Sequence, residues 1–246
     1  MTNVFEEVRG IKVHFIDSTS LYLDAQLRTV WSTPYTPFGF SSNIAALPPV
    51  KPSIQVHGHR GARGKRPENT LPAFQFAIAS GVEVLELDLA VSKDLQLILS
   101  HDPEINPEHC LTEKGQKVAK GVLIFGLTAA EILKYDCGSL KNPKFPDQVT
   151  VPKTPFLTLQ QLFDYVKQTK NTHIQFNIET KIYKDRPAVT PTPEVFAKLV
   201  VDLIQKNDLV DRSILQSFDE RTLIVSKKLE PKLRTAYLAD SRNPDF

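Results

Sequence analysis

Short runs of alternating hydrophobic and polar residues recur along this chain, and longer runs with helical spacing lie between them. Residues 82–89 (VEVLELDL) and 173–181 (HIQFNIETK) show the alternation most clearly, because successive side chains of a strand point to opposite faces. Further strands are predicted at residues 54–57, 97–99, 213–219 and 234–238. Helices are predicted at residues 70–81, 128–135, 158–170, 193–207 and 220–229. This order of strands and helices is typical of an α/β protein with a parallel sheet.

Two carboxylates, Glu86 and Asp88, stand two residues apart in the run 82–89. They point to the same side of the predicted strand, roughly 7 Å apart. Two buried ionised carboxylates repel each other, and the pKa of at least one rises unless a cation lies between them. Mg²⁺ and Ca²⁺ take oxygen ligands, so one divalent cation would remove the conflict. By itself the pattern favours a strand with one face in water, and only the neighbouring residues favour the metal site over it.

Two histidines, His59 and His101, each follow a short apolar run of the kind predicted to form a strand. Two histidines and two carboxylates at or near the C-terminal ends of strands are the arrangement of an active site on a TIM-type (β/α)₈ barrel. In such a barrel the apolar face of each strand packs on helices, and the polar face lines the interior. Arg60 lies in the same turn as His59, and its guanidinium suits bidentate contacts to phosphate.

The composition indicates one soluble domain, with 246 residues of which 24% are charged and 41% hydrophobic. The formal net charge of +2 gives no reason to expect a nucleic acid as a partner. No run of about eighteen apolar residues exists, so no transmembrane segment is expected. Residues 1–17 lack the pattern of a signal peptide. Cys110 and Cys137 are interpreted as two free, partly buried thiols, with a single bridge as the alternative in an oxidising compartment.

The ordered motif HRGxRGxxPENTLxAFxxAxxxGVxxxELDxxxxKDxxxxxSHDP, residues 59–103, resembles the glycerophosphodiester phosphodiesterase family. The resemblance implies a TIM-type barrel that hydrolyses glycerophosphodiesters to glycerol 3-phosphate and an alcohol. It also implies one divalent cation, Ca²⁺ or Mg²⁺, and a small-molecule substrate. The reaction implied is attack by the neighbouring glycerol hydroxyl, which gives a cyclic phosphate that water then opens.

The resemblance also implies a set of metal ligands. Glu86 and Asp88 match the first two carboxylates of the family, and Glu179 of the NIETK run matches the third. Three carboxylates would leave open positions on the cation for a phosphate oxygen and water. Glu68 of the PENT run is predicted to orient a metal ligand without contacting the metal itself. Its alternative role is that of a carboxylate at a helix N-terminus.

Four further residues are candidates for the chemistry itself. His59 and His101 are predicted to be the general acid and general base, because imidazole titrates near neutral pH. Which of them gives and which takes the proton stays open. Arg60 and Lys181 are predicted to bind the phosphate, where they would compensate the negative charge that builds up in the reaction. The role of Lys181 is implied by the family resemblance.

The predicted domain organisation has two parts. Residues 1–53 are expected to be an irregular N-terminal extension, and residues 54–246 to be the barrel domain, with an insertion at about 103–157 like the one that covers the active site in the family. A full barrel takes about 250 residues. We therefore expect an incomplete barrel without its last βα units. The sequence is interpreted as a fragment, and the alternatives are a dimer or an extension, residues 1–53, that covers the open edge. The oligomeric state is left open.

Two other functions compete with this interpretation. Phospholipase D-like enzymes are similar in barrel and in the order of their site residues, so a phospholipid-directed phosphodiesterase is one alternative. A non-catalytic, truncated remnant is the other, although every site residue of the first half is present. The compartment is also open: the family resemblance allows a periplasmic or secreted protein, and the sequence otherwise fits a cytoplasmic one.

Overall fold

The structure is a computed structural model, and it describes residues 55–239 together with three short strands that precede them. The chain divides into two compact units, residues 1–54 and residues 55–246. This division falls within one residue of the predicted boundary between extension and barrel domain.

The first unit contains a small antiparallel sheet. Its strands are β1 (Ile11–His14), β2 (Ser20–Leu23) and β3 (Thr29–Ser32), in the order β1-β2-β3. An irregular segment is expected here from the sequence, whereas residues 11–14, 20–23 and 29–32 form strands. The physical reason is that IKVH, SLYL and TVWS carry the β-branched and aromatic residues that favour strands. The proline-rich residues 33–53 of the expected extension lie outside the described residues.

The second unit is an α/β sheet with helices between its parallel strands. Its strands are β4 (His57–Gly58), β5 (Val84–Val91), β6 (Leu97–Leu99), β7 (Gln175–Thr180), β8 (Ser213–Ser217) and β9 (Arg234–Tyr237). Its helices are α1 (Leu71–Ala79), α2 (Ala129–Ile132), α3 (Leu159–Gln168), α4 (Pro193–Lys206) and α5 (Glu220–Leu229). The predicted elements are therefore present, with ends that shift by a few residues.

The topology of the second unit confirms the predicted fold class. The sheet order is β4-β5-β7-β8-β9, all parallel, so each parallel strand pairs with the next parallel strand along the chain. This succession, with helices in the connections, is that of a TIM-type barrel. Within residues 55–239 the sheet has five such strands, and β4 and β9 are its two ends. β6 departs from the pattern, because it pairs with β5 in an antiparallel hairpin.

The core lies on the apolar face of β5 and its neighbours. All eight residues of β5 are buried, and Leu85, Leu87 and Leu89 belong to one hydrophobic cluster with side chains of the surrounding helices. The alternative of a half-solvated strand is therefore wrong. The leucine side chains of β5 pack against the helices. Glu86 and Asp88 lie on the opposite face of the strand, the face that lines the interior of a barrel.

The helix starts follow local capping rules. α2 begins with a capping box of Thr128 and Glu131, and α3 begins with another of Thr158 and Gln161. At α1 the N-cap residue is Thr70, but its hydroxyl donates to the carbonyl of Pro67 instead of capping the helix. None of the helices in the described part of the chain combines the length and the apolarity that crossing a bilayer requires.

The predicted insertion, residues 103–157, carries a core of its own. Ile105, Ile124 and Ile132 are fully buried in a second hydrophobic cluster. Cys110 and Cys137 belong to the same cluster and form a disulfide. The prediction of two free thiols is therefore wrong. The fold brings together two cysteines that stand 27 residues apart, which spacing alone does not reveal.

Candidate active site

Three carboxylates converge where β5 and β7 lie side by side. The parallel register places Glu86 opposite Asn177 and Asp88 opposite Glu179, so their side chains share the inner face of the sheet. Glu86, Asp88 and Glu179 are all buried, and one oxygen atom from each lies within 4.8 Å of the other two. The three residues predicted from the sequence as metal ligands thus form one compact cluster.

Two cations reach into this cluster. Lys181 Nζ lies 3.1 Å from Asp88 Oδ1 and 2.6 Å from Glu179 Oε1. Arg60 Nε lies 3.2 Å from Asp88 Oδ2. Burial alone would raise the pKa of Asp88, but Lys181 and Arg60 outweigh it and hold that pKa below its usual value. Asp88 is therefore ionised and paired on both sides.

The negative charge of Glu86 is less well compensated by nearby cationic side chains than that of Asp88. Burial, reinforced by the negative charge of Asp88, raises the pKa of Glu86 to about 7. Burial likewise raises the pKa of Glu179, although Lys181 opposes the rise. A divalent cation bound by these oxygens would supply the missing positive charge, and all three donors are the hard carboxylate oxygens that Ca²⁺ and Mg²⁺ prefer. The cluster therefore fits a divalent cation.

Amide side chains hold the carboxylates in place. Gln216 of β8 donates a hydrogen bond of 2.9 Å to Glu86 Oε1, and Asn177 donates to Gln216. Asn69 Nδ2 donates to Asp88 Oδ2 at 2.9 Å. Sequence reasoning missed these three roles. Alternation along β7 already placed Asn177 on the polar face, whereas Gln216 stood in the predicted strand 213–219 without a role assigned to it.

A tight turn after β4 positions the arginine. Arg60 and Gly61 both have positive φ, and a Cβ on Gly61 would come within 2.8 Å of the backbone of Ala73 in α1. Glycine is therefore required where the turn contacts the helix. The Arg60 N–H donates to Glu86 Oε2 at 2.8 Å, so the same turn also orients one member of the cluster.

The structure shows what Arg60 and Glu68 contact. The guanidinium of Arg60 is largely buried, and it donates to Glu68 Oε1 at 2.8 Å in addition to its pairing with Asp88. Glu68 thus lies behind Arg60 and orients that side chain. Glu68 precedes the N-cap residue Thr70. Its described hydrogen bond is thus to Arg60, and its role in orienting a metal ligand stays a prediction.

The two histidines approach the cluster from different elements. His59 follows β4, is half-exposed, and has its Nε2 3.9 Å from Glu86 Oε2. Burial and the nearby charges of Arg63 and Arg60 lower the pKa of His59, which favours its neutral form. His101 follows β6, whose antiparallel course brings the chain back so that the N–H of Ser100 donates to the carbonyl of Asp88. The hairpin therefore places His101 on the same side of the sheet as Asp88.

A small cavity lies between this site and the insertion. Its volume is about 50 Å³, and it is lined by Asn69 and His101 on the barrel side and by His109, Cys137 and Phe156 on the insertion side. Residues of the predicted insertion thus border the candidate active site.

The arrangement can act on a phosphate ester. It joins a site for a hard cation, two buried cationic side chains and two imidazoles with exposed surface, all at the ends of β4 to β7. Anionic oxygens would be attracted to the cations, and the histidines could exchange protons with hydroxyl groups.

Comparisons with known proteins agree with this chemistry. Residues 59–245 match the family model described as Glycerophosphoryl diester phosphodiesterase family. A glycerophosphodiester phosphodiesterase of Bacillus subtilis is 31% identical over 217 residues, which cover 84% of this chain and 66% of that protein. This chain therefore spans just under two thirds of the length of that relative.

Solved structures are similar in fold. A crystal structure from Silicibacter pomeroyi, provisionally described as a glycerophosphoryl diester phosphodiesterase, is 27% identical with a TM-score of 0.71, over 78% of this chain and 67% of that one. An Oleispira antarctica phosphodiesterase in complex with the product sn-glycerol-3-phosphate is 23% identical with a TM-score of 0.59, over 78% and 68%. The latter likeness concerns the fold alone.

Proposed function

Because the chain belongs to the glycerophosphoryl diester phosphodiesterase family, we propose that it hydrolyses glycerophosphodiesters to glycerol 3-phosphate and an alcohol. The observation that carries the proposal is the buried cluster Glu86, Asp88 and Glu179, with His59 and His101 beside it. The activity named for the Bacillus subtilis relative supports the substrate class. The small-molecule substrate would bind at the ends of the parallel strands.

The proposed cofactor is one divalent cation, Ca²⁺ or Mg²⁺, held by Glu86, Asp88 and Glu179. When bound, such a cation polarises the phosphoryl group and compensates its charge. The raised pKa of Glu86 supports this assignment, because an uncompensated buried carboxylate is what a cation would stabilise. Gln216 and the N–H of Arg60 each use one oxygen of Glu86, which fixes the orientation of the carboxylate.

Arg60 and Lys181 are proposed to bind the phosphate. Both are largely buried beside Asp88, so neither has to be desolvated when substrate arrives, and their charge acts in a medium of low dielectric. Glu68 holds the guanidinium of Arg60 in position. Lys181 also contacts Glu179. The positive charge of Lys181 therefore acts on the phosphate more strongly when a bound cation neutralises the carboxylates.

His59 and His101 are proposed to move the protons. One takes the proton of the glycerol hydroxyl that attacks phosphorus, and the other gives a proton to the departing alcohol. In the second step the roles reverse, as water opens the cyclic phosphate. The lowered pKa of His59 keeps this residue neutral at physiological pH, the form that can accept a proton.

The test is release of glycerol 3-phosphate from glycerophosphocholine by the purified chain, first with Ca²⁺ or Mg²⁺ and then with chelator. Metal-dependent release is the expected result. His59→Ala and His101→Ala should each lower kcat by about 10²-fold or more. His173→Ala, at an exposed histidine before β7, should retain activity. A histidine variant with full turnover would remove that residue from the mechanism.

The phospholipid-directed alternative is decided in the same assay. Lysophosphatidylcholine offered in place of glycerophosphocholine should be the poorer substrate by kcat/KM. A preference for it would replace the proposal by the phospholipid-directed function. No turnover of either substrate by a cooperatively folded, metal-loaded chain would favour the non-catalytic remnant.

We also propose that the protein works in an oxidising compartment. The disulfide between Cys110 and Cys137 supports this, because such bonds persist outside the reducing cytosol. Protein that is purified without reductant and then denatured should show no free thiol with a thiol-reactive dye. Two thiols per chain would count against the proposal.

A further inference from the structure

His101 has a carboxylate partner next to it in the chain. Its Nδ1 lies 2.8 Å from Asp102 Oδ1, a hydrogen-bond distance. An ionised carboxylate can only accept, so in this pair the imidazole carries its proton on Nδ1. This leaves Nε2 as the ring nitrogen that can accept a proton from another group.

Asp102 is ionised and is itself held by a second residue. The hydrogen bond to His101, together with one of 2.9 Å from Asn106 Nδ2 to Asp102 Oδ2, lowers the pKa of Asp102 to about 2 against the effect of burial. One oxygen of the carboxylate is thus used by His101 and the other by Asn106. The carboxylate cannot rotate without breaking one of these bonds.

The position of Asn106 is set by a turn of the insertion. Its carbonyl accepts from the N–H of His109 and from the N–H of Cys110, and its side-chain oxygen accepts from the N–H of Glu108. Cys110 ends this turn and is joined to Cys137. A continuous series of bonds therefore runs from the disulfide through the turn to the imidazole of His101.

We propose that Asp102 and Asn106 are positioning residues for His101, and that the Cys110–Cys137 disulfide anchors the turn that presents Asn106. Asp102 fixes the tautomer and the ring orientation of His101, and Asn106 fixes the carboxylate. The proposal rests on the proposed function only where it concerns turnover. The tautomer of His101 is a property of the protein without substrate.

The physical reason is that a neutral imidazole presents its acceptor nitrogen to a given group only in one tautomer and one ring orientation. Without a partner on Nδ1, a neutral imidazole exchanges between two tautomers and the ring can turn over. A carboxylate on Nδ1 selects the form in which Nε2 is the acceptor. Partners of this kind typically change affinity or activity by about 10- to 100-fold when they are removed.

The first measurement is the tautomer of His101, read from long-range ¹H–¹⁵N correlations at about pH 8. The His101→Gln variant assigns the signal. In the unmodified protein Nδ1 should be protonated and Nε2 not. In Asp102→Asn the His101 signals should shift toward those of the Nε2–H tautomer or of a mixture of both tautomers. An unchanged signal in Asp102→Asn, or an Nε2–H tautomer in the unmodified protein, overturns the proposal.

The second measurement is steady-state kinetics with glycerophosphocholine and metal. Asp102→Asn should lower kcat by about 10- to 100-fold with little change in KM, and Asn106→Ala by a smaller factor. Asp102→Glu keeps the charge and should recover part of the loss. Glu108→Gln makes the same carboxylate-to-amide change at an exposed position of the same turn and should keep full activity. Equal losses in Asp102→Asn and Glu108→Gln would overturn the positioning role.

The anchoring role is tested by a double-mutant comparison. The Cys110→Ser/Cys137→Ser protein should lose part of its kcat, and adding Asn106→Ala to it should cost less than in the disulfide-bonded protein, because the two changes affect one series of contacts. If the losses of kcat were additive, the disulfide would not anchor the turn that presents Asn106. If the unmodified protein does not turn over glycerophosphocholine, the proposed function fails, and the tautomer measurement still decides the role of Asp102.

Discussion

Replacing Glu86 by glutamine should remove a pH-dependent destabilisation from the metal-free protein. Burial and the charge of Asp88 raise the pKa of Glu86 from 4.5 to about 7. A carboxyl group with a raised pKa in the folded state binds its proton more tightly there than in the unfolded chain. The folded state therefore loses stability as the pH rises above about 4.5, and the loss is complete once the pH exceeds about 7.

The magnitude follows from the size of the shift. Each pKa unit corresponds to about 1.36 kcal/mol, so Glu86 should destabilise the metal-free protein by about 3 kcal/mol at pH 8 and by about 1 kcal/mol at pH 5. Glutamine cannot accept from both the Arg60 N–H and Gln216, so the variant loses a hydrogen bond. That loss is nearly independent of pH. The difference between the two proteins should therefore change by about 2 to 3 kcal/mol between pH 5 and pH 8.

The assay is urea unfolding at the two pH values, followed by far-ultraviolet circular dichroism in the presence of chelator. The free energy of unfolding of the unmodified protein should fall relative to that of Glu86→Gln as the pH rises. Glu108→Gln, at an exposed position, serves as the control and should run parallel to the unmodified protein. Added Ca²⁺ or Mg²⁺ should stabilise the unmodified protein at pH 8 more than Glu86→Gln. Parallel pH profiles for the unmodified protein and Glu86→Gln would refute the reasoning.

Three further predictions concern the turn, the disulfide and the phosphate site. Gly61→Ala should destabilise the protein by about 2 kcal/mol or more in urea unfolding, because its φ is positive and the new Cβ would meet the Ala73 backbone; a stability equal to that of the unmodified protein would contradict the geometry. Cys110→Ser/Cys137→Ser should lower the free energy of unfolding by about 3 to 4 kcal/mol, measured by urea unfolding without reductant. Lys181→Met should lower kcat/KM by about 10²-fold or more in the glycerol 3-phosphate assay; turnover at the unmodified rate would exclude Lys181 from phosphate binding.

Most elements of the barrel domain were predictable because their signals are local. The helix 220–229 was predicted with its observed ends, and the strand 173–181 with ends that differ by one or two residues. Alternation also gave the polar faces of β5 and β7, which carry Glu86, Asp88 and Glu179, and the family resemblance implied that these three residues act together. These features depend on side-chain periodicity, which neighbouring residues along the chain express directly.

Other features depend on which segments meet. The contacts of Asn69 to Asp88 and of Gln216 to Glu86 join residues that are 19 and 130 positions apart. No local pattern encodes such pairs. β6 was recognised as a strand, but its antiparallel direction is set by the short turn after β5 and by pairing within the hairpin.

The sequence by itself determined the fold class, the succession of strands and helices, and a short set of residues able to carry phosphodiester chemistry. Only the tertiary structure decided how those residues share charge and hydrogen bonds: Arg60 is paired with Glu68 and Asp88, and Cys110 with Cys137. The physical reason is that periodicity is a property of neighbouring residues. Burial, pKa shifts and pairing depend on distances across the fold, and these exist only once the chain has folded.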